Sequence, residues 1–269
     1  DTAVRDMQAS GMFEGRQLDV TADAPLWFYF SLQQLEKHIS QKELWAKYGE
    51  AMKSILAAYR RGFAEEVKMH DNGLVWAAAE RPLTWMGTNV DGQPLTPRRG
   101  YPVELQALWY NAVAYTLAVA KKQGDKEFVA EWKALPEIIK NSFINNFWLD
   151  EGYLADYVNY DEVNKFIRCN MIVACGLDYT MLDEEKLVRA VMTVRDHLLT
   201  PRGLRTLSPR NLLYKSNYNE DQRSQDLASR NGSAWVWPLV FYVKACFDLG
   251  GEKYVAEAKK LLEAFDAEL

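Results

Sequence analysis

At 269 residues with a formal net charge of -5 and pI near 5.4, the chain is long enough to bury a substantial core as one large domain or at most two. The acidic balance argues against a nucleic-acid partner, which would require a basic stripe, and no apolar run approaches the roughly 20 residues that span a bilayer. Cys169, Cys175 and Cys246 fall in apolar helical patterns and are odd in number, the pattern of buried free thiols in a reducing, cytoplasmic compartment. The His and Cys spacing suggests no zinc site, metal or cofactor.

In chain order, the apolar periodicity predicts helices over Ala24 to about Ile39, with Pro25 in the first turn and Asp23 as a candidate cap, and over Gln41 to about Arg61. Helices are then predicted over Pro102 to Lys122, Lys126 to Phe147, Val163 to about Leu177, Asp183 to Leu199, Ser233 to Leu249 and Glu252 onward. These pair as four helical hairpins. The first member of each pair is more apolar all round and the second more amphipathic, as expected of inner helices covered by outer ones. Long polar links at 62–101, 149–162 and 200–232, and a shorter one at 15–23, lead into the inner helices, and loops of this length are usually functional. The plan is an all-α toroid with its lead-in loops gathered at one mouth. Six hairpins would close such a ring, so the expectation is one catalytic-type domain over residues 1–269, an incomplete ring from a longer chain carrying further barrel helices or domains. An α-solenoid is the structural alternative.

Four clusters bear side chains suited to a polyol. Asp19, Asp23 and Trp27 precede or open the first helix, where Asp23 is either a helix cap or an acceptor for sugar hydroxyls. The stretch 83–111 holds Trp85, Asp91, Arg98, Arg99, Glu104 and Trp109. An arginine there can bind a carboxylate through two hydrogen bonds, and so either orient Glu104 or Asp91 or meet the ligand. Glu104 lies in a first helical turn, where the macrodipole favours its ionised form. Tyr153, Asp156, Tyr157 and Arg168 form the third cluster, with Asp156 open to ligand contact or to turn formation. The run 200–238 contributes Arg205, Tyr218, Asp221, Asp226, Arg230, Trp235 and Trp237, and one tryptophan of the last pair is expected in the core. No phosphate loop, serine elbow or thiol nucleophile competes. Carboxylate chemistry on a neutral sugar remains, and glycoside hydrolysis needs two such groups flanking the bond.

Three blocks resemble a known family. TWM…TPR.G.PVE.QALWYNA is similar to TWMD…TPR.GKPVE.NALWYNA of the C-terminal, amylo-α-1,6-glucosidase domain of glycogen debranching enzymes. TADAPLWFYF resembles its V-D-A-(S/T)-LWF segment, and LLTPRGLRTLSP…RNGSAWVWP its LLTP.GLRTLSP…HQGTVWPW segment; the matches keep their order over about residues 19–240. The resemblance implies an (α/α)6 barrel and hydrolysis of α-1,6-linked branch glucose on glycogen or a related α-glucan by an inverting pair of carboxylates, with no cofactor. The candidate substrate contacts are Asp23, Trp27, Trp85, Arg98, Glu104, Trp109, Asp156, Arg168, Asp226 and Trp235, and the resemblance keeps Trp85, Arg98, Glu104 and Trp109 among them as the sugar-pocket framework. It also exposes departures. The family's acid falls on Gly87, the family's Tyr-His-Gln-Gly-Thr reads Ser229-Arg230-Asn231-Gly232-Ser233, and its Arg-Pro-Asn-Gln reads Arg168-Cys169-Asn170-Met171. The second catalytic carboxylate is expected beyond Leu269. Asp91 is the nearest replacement acid, or else simply a turn former before Gly92. A non-hydrolytic α-glucan-binding homologue and a different (α/α)6 glycosidase stand as alternatives.

Overall fold

The computed structural model describes residues 21–63, 66–78, 83–90, 93–218 and 221–265; Asp19 and Asp91 lie outside them. The described residues are mainly helical: α1 Ala24–Leu35, α2 Gln41–Arg61, α3 Val103–Gln123, α4 Lys126–Trp132, α5 Leu135–Phe147, α6 Met171–Gly176, α7 Glu184–Leu198, α8 Gln222–Asn231, α9 Trp237–Leu249 and α10 Glu252–Glu263.

Local chemistry sets most of these bounds. Ser40 caps α2 by accepting the Glu43 N–H at 3.2 Å, satisfying one of the orphan donors at a helix start. Gly124 ends α3 in the left-handed region at φ 80°, the usual glycine C-terminus, and Asp125 caps α4 through the Phe128 N–H at 3.0 Å. The predicted helix Lys126 to Phe147 is two helices: Pro136 sits in the first turn of α5, where its ring and missing N–H interrupt any helix arriving from α4.

Two other boundaries move for tertiary reasons. Of the predicted helix Val163 to Leu177 only Met171–Gly176 is helical. Val163–Asn164 instead forms β7, paired antiparallel with β6, Tyr157–Val158. The helix predicted from Ser233 starts at Trp237, because Ala234–Trp235 (β10) pairs with β9, Gly203–Arg205. Helix α8, inside a predicted loop, is capped by Asp221 through the Ser224 N–H at 2.9 Å.

Short antiparallel strands, absent from an all-α expectation, tie the lead-in segments together. Besides the pairs above, β1 Val67–Met69 pairs with β2 Val75–Ala77, β3 Asn89–Val90 with β4 Gln93–Pro94, β5 Tyr101–Pro102 with β6, and β8 Leu199–Thr200 with β9. At Gly100 the chain turns with φ 125°, and a Cβ would collide with the Val158 carbonyl oxygen. Glycine is required there for β5 to reach β6.

The core runs through α3, which packs on α1, α2, α5 and α6, while α6 and α9 pack together with α7 and α10 outside them. Leu105, Leu108, Trp109, Ala112 and Val113 of α3 are fully buried, as are Leu26 of α1, Ile172 of α6 and Tyr242 of α9. By contrast Val236 and Val240, at the start of α9, are more than half exposed. The apolar inner helices thus form an array with amphipathic helices against it, as the periodicity predicted.

Candidate functional site

The N-terminal ends of α1, α3, α6 and α9 meet at one end of the helix array, as the contacts among the side chains around them show. Asp23, before α1, makes no side-chain cap bond. Its Oδ2 accepts the Trp85 N–H at 3.0 Å, fastening the 83–87 segment onto α1. Trp85 then stands edge-on to Trp237 at 4.6 Å between ring centroids and to Trp235 at 6.2 Å, and Trp237 meets Trp27 at 5.7 Å. Such edge-to-face contacts suit the aromatic quadrupole.

Beside this aromatic group lies a buried charge cluster. Arg98 donates from Nη1 and Nη2 to the two oxygens of Glu104 at 2.5 and 2.6 Å. It also donates from Nε to Asp156 Oδ2 at 2.8 Å and from Nη2 to the Asp156 carbonyl at 2.8 Å. Asn170 Nδ2 donates to Asp156 Oδ1 at 2.7 Å, and Arg168 Nε stands 3.7 Å from Asp156 Oδ2. All four charged side chains are at most 5% exposed.

Two guanidinium groups and two carboxylates make the set formally neutral, which is how buried charge is tolerated. Burial alone would lower the Arg98 pKa, but Asp156 and Glu104 outweigh it and hold it above its ordinary value. Burial pushes the Glu104 carboxyl up, with Arg98 opposing. Arg168 is lowered by burial, Asp156 opposing, and burial raises the Cys169 thiol to about 12. Cys169, Cys175 and Cys246 are all free and buried.

Glu104 and Asp156 are therefore anchors. Both Glu104 oxygens are engaged by one arginine, and the side chain is fully buried. The chain of contacts continues through Arg168, which donates to the Arg230 carbonyl at 2.6 Å and to Asn231 Oδ1 at 2.9 Å. The Arg230 guanidinium comes within 5.7 Å of the Trp85 ring and 5.5 Å of the Trp235 ring, inside cation–π range. Its Nη2 reaches the Gly87 carbonyl at 3.4 Å. A cleft of about 370 Å³ opens against the cluster, lined by Arg98, Asp156, Phe166, Arg168, Leu213 and Asn231 among others.

The structure thus brings together Asp23, Trp27, Trp85, Arg98, Glu104, Asp156, Arg168 and Trp235. Asp226 lies one turn before Arg230 on α8, half-buried, accepting from Gln222 at 3.0 Å. Trp109 does not join them. It is fully buried, stacks on Tyr59 at 5.4 Å and donates Nε1–H to the Gly73 carbonyl at 3.0 Å; it belongs to the core because α3 is apolar on every face. Asn170 and Asn231 were missed as site residues. A helix drawn through 163–177 hides Asn170 in mid-helix, and a loop drawn over 200–232 hides the helical end that presents Asn231.

These features fit a glycoside-hydrolase type of domain, and the sequence comparisons agree. The chain belongs to the amylo-alpha-1,6-glucosidase family, whose profile matches residues 12–269. Among curated proteins it is similar to the glycogen debranching enzyme of Saccharomyces cerevisiae, 24% identical over 232 residues, covering 69% of this chain and 15% of that enzyme. The chain thus spans about 15% of the length of that relative. Among solved structures it is similar to a GH78 family rhamnosidase of Bacillus sp. GL1, with TM-score 0.48, 18% identity and coverage of 64% of this chain and 17% of that one. Among the described residues no helix is long and apolar enough to cross a membrane.

Proposed function

We propose that this chain is a domain of a cytoplasmic, (α/α)6-type glycoside hydrolase acting on α-1,6-linked branch glucose of glycogen or a related α-glucan, and that it forms the saccharide-binding mouth. The observation that carries the reading is the buried Arg98–Glu104–Asp156–Arg168 cluster bordering a cleft, with the tryptophan group of Trp85, Trp235 and Trp237 joined to it through Arg230. A rigid polar floor and flat apolar walls suit a ring with hydroxyl edges and C–H faces. Asp23, Trp27, Trp85, Trp235 and Asp226 are the rim contacts, and Arg98, Glu104, Asp156 and Arg168 position them.

Inverting hydrolysis needs an acid and a base roughly 6.5–9.5 Å apart. In this reading Gly87 occupies the acid's place, with Asp91 as the nearest substitute and the base supplied by chain beyond Leu269. A second reading, non-hydrolytic α-glucan binding, is favoured by Gly87 and by the cation that sits against it.

Glucose release from an α-1,6-branched dextrin by the full-length parent protein, which in this reading supplies the base, tests it. Gly87→Asp combined with Arg230→His, which restores the family pattern, is expected to raise turnover by about 10²-fold or more, the usual weight of a positioned acid. Gly87→Asp alone should gain less, because Arg230 would hold the new carboxyl ionised. Equal turnover in wild type and the double variant contradicts the assignment of Gly87, and unchanged turnover in Asp91→Asn removes Asp91 from the mechanism.

A further inference from the structure

The hairpin of β6 and β7 has two ends. At one, Tyr157 and Asn164 line the cleft beside the charge cluster. At the other, the tip at 159–162 lifts Tyr160 to the surface, where it is 76% exposed. Its ring nevertheless stacks on Trp76 of β2, with 4.9 Å between centroids and 26° between planes. His70 stacks on Trp76 at 5.5 Å and 16°, and Tyr101 meets Trp76 edge-on at 5.0 Å. His70 Nδ1 and the Tyr101 hydroxyl are hydrogen-bonded at 2.8 Å. Tyr160 is thus the exposed member of a packed aromatic group.

The tip is fixed as well as exposed. Asn159 Oδ1 accepts the N–H groups of Asp161 and Glu162 at 2.9 and 2.8 Å, closing the turn, and its Nδ2 donates to the Arg99 carbonyl at 3.2 Å. Glu162 in turn accepts from the Tyr157 hydroxyl at 2.7 Å and from Asn164 Nδ2 at 3.0 Å. A ring covered on one side and still so exposed has its other face open to solvent. Held in advance, that face binds without the cost of ordering a mobile side chain. Its surroundings are polar: in the hairpin only Val163 is also an exposed apolar side chain. A peptide or lipid partner would ask for a contiguous apolar patch, whereas a sugar ring offers one C–H face to the phenol and a hydroxyl edge to Asn159, Asp161 and Glu162.

We propose that Tyr160, backed by Trp76, is a second saccharide contact, a stacking platform for a sugar unit of the α-glucan that lies outside the cleft. The proposal rests on the saccharide reading of the mouth and extends it from the branch unit to the chain that carries it. Three residues of extended hairpin separate Tyr157 at the cleft from Tyr160, about 10 Å at most, a distance that a short run of sugar units spans. Two contacts joined by one polymer reinforce each other, because the second forms at the effective concentration set by the first.

Calorimetric titration of an α-1,6-branched dextrin and of isomaltose into the full chain tests it. Tyr160→Ala is expected to weaken dextrin binding about tenfold, the scale of losing one aromatic anchor, and to leave isomaltose, which the mouth alone receives, unchanged. Tyr160→Phe, which keeps the ring, should retain the dextrin affinity. Equal dextrin affinity in wild type and Tyr160→Ala overturns the platform while leaving the saccharide reading intact. An equal loss in Tyr160→Phe and Tyr160→Ala overturns stacking as its basis. Tyr160-dependent dextrin binding with no binding of isomaltose supports the platform and overturns the saccharide reading of the mouth.

Discussion

Two arginines at the same end of the molecule live under opposite terms. Arg98 is buried and bonded to Glu104, Asp156 and Thr84, and its positive charge is matched. Arg230 lies a few residues from the same network, touches one backbone carbonyl at long range, and keeps a buried Nε with no partner. The first is architecture, because leaving any member unpaired in low dielectric is costly. The second is a vacancy in bonding at the position where the family's chemistry points. The buried cluster and the Arg230 side chain are therefore held by different contacts, and one can be altered without the other.

Breaking the frame should have the largest effect. Arg98→Leu strands two buried carboxylates, and denaturant unfolding should show a loss of about 3–5 kcal/mol; a loss below 1 kcal/mol would mean the cluster is not what holds the lead-in segments together. Next comes Trp109→Phe, which keeps the ring in the core and removes its bond to Gly73. It should cost about 1–2 kcal/mol and leave saccharide affinity unchanged, since Trp109 is core; reduced affinity at equal stability would return it to the site.

Arg230→Gln should be nearly neutral for stability, within about 0.5 kcal/mol, since it removes a cation that has no paired anion among the described residues. A cost comparable to that of Arg98→Leu would show the two arginines to be alike.

A pH-dependent effect concerns a half-buried contrast to the cluster. Asp125 is held below its ordinary pKa, mainly by the Phe128 N–H and then by Lys53. A depressed carboxyl contributes stability that is full above its unfolded pKa and is lost as pH falls through the folded one. Asp125→Ala should therefore cost about 1 kcal/mol at neutral pH and flatten the acid limb of the stability profile. An acid limb unchanged in Asp125→Ala refutes that assignment.

Much of the frame was legible in the sequence because it is local. The apolar faces of α1, α2, α3 and α7 each depend on a few adjacent residues, whereas the one cap the sequence suggested, Asp23, makes no cap bond. The places of Asp23, Trp85, Arg98 and Glu104 before or at the starts of α1 and α3 were also legible, although the Asp23–Trp85 contact itself is long-range. What escaped is set by distant partners. β7 replaces a helical turn because Val158 lies opposite Val163, and β10 delays α9 because Leu204 lies opposite Trp235. Trp109 was misplaced for a different reason: the aromatic residue that faces a sugar and the one that fills a core share one pattern, and only the all-round apolar character of α3 separates them. Arg230 was visible as a change from the family's histidine, but its missing partner could be seen only in three dimensions.

The central claim is that the tryptophan rim over the charge cluster receives a saccharide. Calorimetric titration of an α-1,6-branched dextrin into wild type, Trp85→Ala and Trp109→Phe tests it directly. The account predicts saturable binding in wild type and Trp109→Phe, with affinity reduced about tenfold or more in Trp85→Ala, as for the loss of a central aromatic anchor. Absence of binding in wild type, or equal binding in all three, contradicts it.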